Sequence, residues 1–478
     1  MNKALYITTT LPYVNADPHI GFALEIVRAD IYARYRTLCG DDVFFNTGTD
    51  EHGLKIYRKA ADEGKEVQIY VDEYAEKFRK LKNVLNLHPD IHFIRTTDPH
   101  HIGAAQEMWR HCEANGDIYK KKYKGLYCVG DEAFIKETDL VNGKCPNHPS
   151  MDPVEIEEEN YFFRLSAYQD KLVEYLSKEG VILPEWRRHE ALQFVQGGLE
   201  DMSISRERAR LSWGIPVPDD DTQTMYVWFD ALTNYISTLG WPEDAEGLYK
   251  KFWEQGKRLQ MAGKDQLRFQ SIMWQAMLMS AGLPTTDRVI YNGFITSGGQ
   301  KMSKSIGNVI DPMAIVEEYG TDALRYFLAR HVHPFEDTDV TMEKFKEAYN
   351  ADLANGIGNT TARIMKMAQE HLPTAINIPP APTFPEEFTK ALDAFEIQRA
   401  CEMIGKKLSM LDAKIQETQP FKLIKTDKDA ALIIIRDLTA ELYKVAGMLY
   451  PIIPATSEKI KQAIKENKMH ENLFPRKG

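Results

Sequence analysis

The spacing of hydrophobic residues predicts a strand, a helix and a second strand within about the first fifty residues. Residues 5–10 are rich in β-branched and aromatic side chains, which is typical of a buried strand. Apolar residues then recur at helical spacing before Gly40: Leu24, Val27, Ile31, Tyr35 and Leu38. A second strand is predicted at Val43–Phe45. This order is that of a βαβ unit in a doubly wound parallel sheet.

The last third of the chain has a different pattern. A short strand-like segment lies at residues 259–262. From about residue 345 the apolar residues recur at helical spacing. Prolines between residues 372 and 385 interrupt that helical region. The pattern therefore predicts an α/β part followed by an all-α part.

Composition narrows the class of protein. The chain has 478 residues, enough for two to four domains, with 43% hydrophobic and 27% charged residues. It has no run of about 18 apolar residues, and its first ten residues lack the apolar core of a signal peptide. Five cysteines do not suggest a disulfide framework. We therefore expect a soluble cytoplasmic protein without a membrane partner.

The net charge of the chain restricts any binding of nucleic acid to a local surface. The net charge of −11 argues against non-specific coating of nucleic acid. It does not exclude a small basic surface that guides a shaped nucleic acid.

Two short segments carry the first signs of chemistry. Lys301 and Lys304 lie three positions apart in Lys-Met-Ser-Lys-Ser, among small residues. Such a mobile cationic loop can close on a polyphosphate, although a solvated surface turn is the ordinary alternative. His19 and Gly21 stand at the start of the first predicted helix, where free amides favour an anion and the imidazole can donate to a phosphate. The ordinary alternative there is a helix cap or a packing residue.

Together, these two segments resemble the signatures of class I aminoacyl-tRNA synthetases, which use them to hold ATP during amino-acid activation. One departure is Phe22, which stands where the family usually has a second histidine. The resemblance implies catalytic roles for His19, Gly21, Lys301 and Lys304, with ATP and Mg²⁺ as the reacting complex. Because a possible phosphate or ribose contact is missing at Phe22, His19 and the lysines are expected to stabilise more of the charge.

Two loops narrow the resemblance to methionyl-tRNA synthetases: Leu-Pro-Tyr-Val-Asn at residues 11–15 and Thr-Gly-Thr-Asp-Glu-His-Gly at residues 47–53. Asp50 would receive the ammonium group of methionine, which agrees with the need of a zwitterion for a carboxylate. An Asx-type turn is the alternative for Asp50. The resemblance implies a methionine pocket formed by Leu11, Tyr13, Asp50, Trp228, Ala231, Tyr235, Gln270 and Trp274.

Aromatic walls suit a flexible thioether, although aromatics at these spacings also simply fill cores. Gln270 replaces a histidine and Gln266 an aliphatic residue of better-known relatives, which bears on methionine selectivity.

The resemblance also assigns residues to ATP and to a metal. Arg206 would guide the phosphates, the alternative being a surface ion pair, and Gly263 and Asp265 would hold the ribose. A knuckle-like segment carries Cys128, Asp131, Cys145 and His148. Metal-bearing relatives have a cysteine where Asp131 stands. A weakened Cys₂AspHis zinc site and a zinc-free knuckle both remain open, and the hard oxygen favours the second.

In the helical region, the resemblance assigns anticodon reading to three residues. Asn359 and Arg363 are spaced i, i+4 and so share one helix face. Phe421 replaces the family's stacking tryptophan, and a core position is its alternative.

The resemblance implies an α/β fold: a doubly wound Rossmann-type parallel sheet split by a connective insertion, then an all-α anticodon-binding helix bundle. The predicted parts are a first catalytic half, the connective insertion, a second catalytic half, a stem-contact region with the lysine loop, and the helical domain. They cover, in that order, residues 1–115, 116–180, 181–285, 286–344 and 345–478. Since no further module follows the helical region, a monomer is expected.

The implied function is ATP-dependent activation of L-methionine to methionyl-adenylate, followed by transfer to initiator and elongator tRNA(Met). Two alternatives stay open at this point. One is a nucleotidylyltransferase acting on a small molecule, which has no use for Asn359 and Arg363. The other is a tRNA-binding paralogue without charging activity, in keeping with Phe22, Gln270 and Phe421.

Overall fold

The computed structural model describes residues 3–129, 133–135, 137–146, 149–302, 308–378 and 384–478. Its contacts divide the chain into two units. Unit 1 consists of Met1–Pro18, Gly40–Leu81 and Pro89–Asn292, and unit 2 of His19–Cys39, Lys82–His88 and Gly293–Gly478. Within the described residues, no helix is long and apolar enough to cross a membrane. The domain boundaries expected from the sequence stay predictions.

The strands are β1 Ala4–Thr9, β2 Asp42–Thr49, β3 Ile91–Arg95, β4 Ile118–Cys128, β5 Ala133–Ile135, β6 Val154–Phe163, β7 Ile182–Leu183, β8 Met202–Ser203, β9 Ser205–Glu207, β10 Pro216–Val217, β11 Asp220–Met225, β12 Lys257–Gly263, β13 Arg288–Asn292, β14 Ile295–Ser297, β15 Gln300–Lys301 and β16 Thr338–Asp339.

The α-helices are α1 Ile20–Leu38, α2 Leu54–Asp62, α3 Val67–Val84, α4 Pro99–Ala114, α5 Gln169–Leu176, α6 Glu185–Gln196, α7 Val227–Leu232, α8 Asn234–Ser237, α9 Trp274–Ser280, α10 Pro312–Tyr319, α11 Thr321–Arg330, α12 Met342–Ala348, α13 Asn359–His371, α14 Glu386–Asp393, α15 Ile397–Thr418, α16 Pro420–Leu423, α17 Lys428–Leu449 and α18 Pro454–Glu466. Short 3₁₀ turns lie at Glu137–Asp139, Leu165–Tyr168 and Lys264–Gln266, and π-helical turns at Tyr249–Glu254, Phe269–Met273 and Tyr349–Gly358.

A six-stranded parallel sheet forms the centre of unit 1, with the strand order β3-β2-β1-β12-β13-β7. This confirms the predicted doubly wound sheet. The first helix ends at Leu38, just before Gly40, as its apolar spacing indicated, whereas β2 extends four residues beyond the predicted strand, as far as Thr49. The carboxyl ends of parallel strands meet at one edge of the sheet, so β1, β2 and β12 all lead into loops at that edge.

Strands β2 and β3 can pair near that edge of the sheet because residue 48 is a glycine. A Cβ atom at this position would lie 1.9 Å from the carbonyl oxygen of Ile94, its partner on β3. No side chain fits there, so a glycine is required two residues before Asp50.

Unit 1 also contains a charge-paired antiparallel sheet, ordered β5-β4-β6-β8. The lysine-rich strand β4 lies opposite the glutamate-rich strand β6, with Lys122 across from Glu159 and Lys124 across from Glu157. Opposite charges on facing strands attract, so the lysines of β4 are partly neutralised within their own sheet.

Unit 2 is mostly helical. Helices α13, α15, α17 and α18 pack together over a core of fully buried aliphatic side chains that includes Ile364, Ile404, Ile435 and Ile460. This confirms the all-α region predicted from about residue 345. A small sheet of β15, β14 and β16 precedes it. The seven tryptophans all lie in unit 1, at positions 109, 186, 213, 228, 241, 253 and 274.

A fully buried arginine joins three separate segments of unit 2. Arg325 of α11 is 0% exposed and donates to Asp30 of α1 at 2.6 Å. It also donates to the carbonyl oxygens of Leu85 at 3.0 Å and Ile452 at 2.8 Å. A guanidinium offers five donors in a fixed plane, so one side chain satisfies oxygens from all three segments.

We expect Arg325→Ala to lower the free energy of unfolding by about 3–5 kcal/mol, because Asp30 and the carbonyl groups would stay buried with fewer donors. Arg330→Ala is the matched control on the same helix. Its ion pair with Glu402, at 2.9 Å, is largely exposed, so removing it should cost less than about 1 kcal/mol. Urea denaturation followed by far-ultraviolet circular dichroism measures both. If both variants lowered the free energy of unfolding by the same small amount, the assignment of Arg325 as a structural centre would be contradicted.

Candidate active site

His19 is the N-cap residue of α1, the ordinary role that the sequence left open. Its Nδ1 atom accepts a hydrogen bond from the backbone N–H of Gly21 at 3.1 Å. In a neutral imidazole whose Nδ1 accepts, the proton is on Nε2. The cap therefore fixes the tautomer in which His19 donates through Nε2, so capping the helix is compatible with donating to a phosphate.

The His19 ring covers Gly21, so any side chain added at this position would have to displace the ring. An added Cβ would lie 2.9 Å from Cε1 and 3.0 Å from Nδ1 of that ring, and 3.9 Å from Cε of Met302 in the lysine loop. His19, Gly21 and Met302 all belong to unit 2. Lys301 ends β15, whereas Lys304 lies outside the described residues.

The two segments expected to contact methionine meet in unit 1. Asp50, directly after β2, is 6% exposed and forms a parallel bridge with Tyr13. The backbone N–H of Val14 donates to the Asp50 carbonyl at 3.1 Å, and the N–H of Asp50 donates to the Pro12 carbonyl at 3.0 Å. The backbone of Asp50 therefore continues the pairing of the strand. Leu11 lies in the same half-buried segment.

The aromatic residues expected in the methionine pocket also lie in unit 1. Trp228 is half-buried and its ring stacks on Phe269, with centroids 3.9 Å apart. Tyr235 is 2% exposed and lies 5.7 Å from the ring of Trp274, which is fully buried.

Gln270 is buried as well and donates through Nε2 to the Tyr235 hydroxyl. Ala231 is buried on α7 between Trp228 and Tyr235. Tyr235 and Trp274 form part of the core, as the ordinary alternative predicted. Trp228, by contrast, is half-buried, so solvent still reaches its ring.

Arg206 is not a surface ion-pair residue, because it is 5% exposed. Its guanidinium lies over the rings of Tyr226 at 4.7 Å and Tyr127 at 5.4 Å. It donates to the Ser203 hydroxyl at 2.9 Å and to the Ser205 carbonyl at 2.7 Å.

The residues expected at the ribose lie at the carboxyl end of β12. Gly263 is its last residue, and Asp265 is exposed in the turn that follows. The position at the edge of a parallel sheet is the one at which nucleotides bind in such folds.

Sequence reasoning missed a buried polar cluster behind the pocket. Asp230 is 0% exposed and lies 2.7 Å from Nδ1 of His52 and 2.9 Å from Nε2 of His101. Beside it, Arg95 donates two hydrogen bonds to Glu51, at 2.7 and 2.8 Å. The only signal in the sequence was adjacency, since Glu51 and His52 follow Asp50 and Asp230 lies between Trp228 and Ala231.

The residues expected to read the anticodon lie in unit 2. Asn359 is exposed at the start of α13, beside an open groove of about 490 Å³ whose other wall includes Met469 and Asn472. Arg363, one turn later, is half-buried and pairs with Asp412 at 2.5 Å. Phe421 is 45% exposed, so it is not the core residue that the sequence left open.

Only part of the expected metal knuckle can be described. Cys128 and Cys145 are both buried, whereas Asp131 and His148 lie outside the described residues. Within the part of the chain that the structure describes, no group of three or more histidine, cysteine, aspartate or glutamate side chains is arranged to hold a metal ion.

Two family models match the chain. The model described as "tRNA synthetases class I (M)" covers residues 5–365, and the "Anticodon binding domain of methionyl tRNA ligase" covers residues 383–476.

Curated relatives and solved structures agree with these models. A methionine--tRNA ligase of Brucella suis biovar 1 is 41% identical over 472 residues, covering 95% of this chain and 90% of that protein. One of Thermotoga maritima is 40% identical over 478 residues, covering 95% and 74%. The structure of Mycobacterium tuberculosis methionyl-tRNA synthetase in complex with methionyl-adenylate has a TM-score of 0.90 and 34% identity, covering 99% of this chain and all of that one.

The two matching models together span most of the chain. The resemblance that His19-Ile20-Gly21 and the lysine loop indicate therefore extends to the whole fold. The chain belongs to the methionyl-tRNA synthetase family of class I aminoacyl-tRNA synthetases.

Proposed function

We propose that this chain activates L-methionine with ATP and transfers the methionyl group to tRNA(Met), initiator and elongator alike. The observation that carries the proposal is Asp50, a carboxylate 6% exposed at the carboxyl edge of the parallel sheet and bridged to Tyr13. A buried carboxylate in a unit that also contains Trp228 and Tyr235 suits a zwitterion with an apolar thioether side chain. Family membership argues against the alternative of a nucleotidylyltransferase acting on a small molecule.

In the first step, a carboxylate oxygen of methionine attacks the α-phosphorus of ATP. The bond to the bridging oxygen breaks, and pyrophosphate leaves with the electron pair. His19, Lys301 and Lys304 stabilise the negative charge on the phosphates, and Mg²⁺ accompanies the nucleotide. Arg206 guides the phosphates, while Gly263 and Asp265 hold the ribose. No protein nucleophile takes part, so rate enhancement comes from positioning and electrostatics.

In the second step, a hydroxyl oxygen of the terminal ribose of tRNA attacks the carbonyl carbon of the adenylate, and AMP leaves. Asn359, Arg363 and Phe421 select the tRNA by its anticodon, the first two through hydrogen bonds and the third through stacking. No step uses zinc, and a zinc ion at Cys128 and Cys145 would serve only the insertion. We also propose that the protein is a monomer and that it acts in the cytoplasm.

ATP–pyrophosphate exchange with each amino acid in turn, followed by charging of both methionine tRNAs, tests the proposal. Exchange with methionine and charging of both tRNAs is the expected result. Binding of tRNA without any exchange would instead identify the non-charging paralogue. Exchange with a different amino acid would contradict the assignment of the pocket.

We expect Lys304→Ala to lower the rate of methionine-dependent exchange by roughly 10²–10³, the range for removing one key donor to the transition state. Lys80→Ala, which removes an exposed lysine of α3, is the control and should change the rate less than twofold. A Lys304→Ala rate within twofold of the unaltered protein would remove Lys304 from the mechanism.

Gly21→Ala should slow the same exchange reaction by up to roughly 10²-fold, because the new methyl group displaces the His19 ring and its Nε2 donor. The control is Gly405→Ala within α15, where an added Cβ meets nothing within 4 Å. That variant should keep its exchange rate and gain about 0.5–1 kcal/mol in the free energy of unfolding. An unchanged rate in Gly21→Ala would show that the position of the ring is unimportant.

Arg363→Ala should act on the second step alone. Loss of a side chain that reads a base lowers kcat/KM for tRNA by about 5- to 150-fold, equivalent to roughly 1–3 kcal/mol, and leaves exchange unaltered. Arg399→Ala removes an exposed arginine of α15 that pairs with Glu396 and is the control. Similar charging by both variants would count against an anticodon role for Arg363.

A further inference from the structure

A buried carboxylate between two imidazoles lies behind the proposed methionine pocket. Asp230 uses one oxygen for Nδ1 of His52, at 2.7 Å, and the other for Nε2 of His101, at 2.9 Å. All three residues belong to unit 1, and none is more than 5% exposed. We call these three residues the Asp230 cluster. Nothing in the mechanism given above uses it.

The Asp230 cluster joins elements that carry pocket residues. His52 lies two positions after Asp50, in the loop that leaves β2. Asp230 lies on α7 between Trp228 and Ala231. The hydrogen bond between His52 and Asp230 therefore ties the loop that would receive the ammonium group of methionine to the helix that would enclose its side chain.

His101 extends the connection to the next helix. Its Nδ1 atom is 2.8 Å from the hydroxyl of Ser237 on α8, and this helix also carries Tyr235. Nε2 donates to the carboxylate, and Nδ1 forms the hydrogen bond with the serine hydroxyl. The chain of hydrogen bonds thus runs from the β2 loop through α7 and α4 to α8.

The charge on Asp230 holds the Asp230 cluster together. Burial by itself raises the pKa of a carboxyl group, but the charges and hydrogen bonds of His52 and His101 outweigh it and keep the pKa of Asp230 below its ordinary value. An ionised carboxylate accepts on both oxygens, and hydrogen bonds to an ion are about twice as strong as neutral ones.

The loop that carries His52 is also held from its other side. The ring of Trp213 lies edge-on to His52 at 5.5 Å, and its Nε1 donates to the carbonyl oxygen of Glu51 at 2.6 Å. Because Glu51 and His52, the two residues that follow Asp50, are both held, the position of Asp50 depends on where His52 meets Asp230.

We propose that Asp230, through His52 and His101, is a positioning residue that sets the distance between Asp50 and the aromatic pocket, and so determines the affinity for methionine. This inference rests on the proposed function. It assigns no chemical step to the Asp230 cluster, which acts only through the residues it holds.

The test compares KM for methionine with KM for ATP in the exchange reaction. Asp230→Asn keeps the shape of the side chain but loses the charge and one acceptor. We expect its KM for methionine to rise by roughly 10- to 100-fold, since small displacements of a positioning group cost this much, while KM for ATP stays within twofold. Asp117→Asn is the matched control.

Asp117 is a carboxylate of unit 1 that is 7% exposed and accepts from Ser280 and Asn115, both at 2.7 Å, and from Tyr168. Of its partners, Ser280 ends α9, six positions after Trp274, whereas Asn115 and Tyr168 lie on elements without a pocket residue. The Asp117→Asn variant should have a lower melting temperature, while KM for methionine and KM for ATP should not diverge from each other.

A second pair of variants keeps the inference testable if Asp230→Asn does not fold. The side-chain amide in His52→Asn can place an N–H near the position of Nδ1–H, whereas His52→Ala removes the donor. We expect KM for methionine to stay within about threefold in the asparagine variant and to rise roughly tenfold or more in the alanine variant.

Unchanged KM for methionine in Asp230→Asn and His52→Ala would overturn the inference, as would an equal rise of KM for methionine and ATP. The unaltered protein, measured in parallel, separates this failure from that of the proposed function. If it shows no methionine-dependent exchange, the proposed function fails first. If it exchanges normally while the variants match it, only the positioning role fails.

Discussion

Parallel pairing of β1, β2 and β12 is the constraint on which the amino-acid side of the site depends. Because the three strands run in the same direction, their carboxyl ends lie at one edge of the sheet, and the loops that follow them are neighbours. Tyr13, Asp50 and Asp265 come from these three loops, which are far apart in the sequence. Their proximity is a consequence of hydrogen bonding between strands and requires no contact between the side chains themselves.

The sequence predicted the parts of the molecule that depend on local periodicity or on a family signature. The helix ending at Leu38, the parallel sheet and the later helical region follow from apolar spacing, which is a property of neighbouring residues. His19-Ile20-Gly21 and the lysine loop indicated class I synthetases, and the loops at residues 11–15 and 47–53 indicated the methionyl family, which the matching models confirm. The role of each site residue remains a proposal.

Pairing over long distances could not be predicted in this way. Asp230 meets His52 across 178 positions and His101 across 129, and no spacing rule links residues so far apart. Arg325 looked like one arginine among many on a helix, yet it is fully buried and binds three separate segments. Arg206 was likewise open to a surface role. A charge becomes buried only when its partners converge, which depends on the complete fold.

Because all the tryptophans lie in unit 1, tryptophan fluorescence reports on that unit and not on unit 2. All seven indoles belong to the unit that contains Asp50 and the proposed methionine pocket, and Trp228 and Trp274 are among the residues proposed for that pocket. The helices that contain Asn359 and Arg363 have none. Emission excited at 295 nm therefore originates only from the amino-acid side of the molecule. Events confined to the anticodon side are silent at that wavelength, so the two halves of the reaction can be followed separately without any added label.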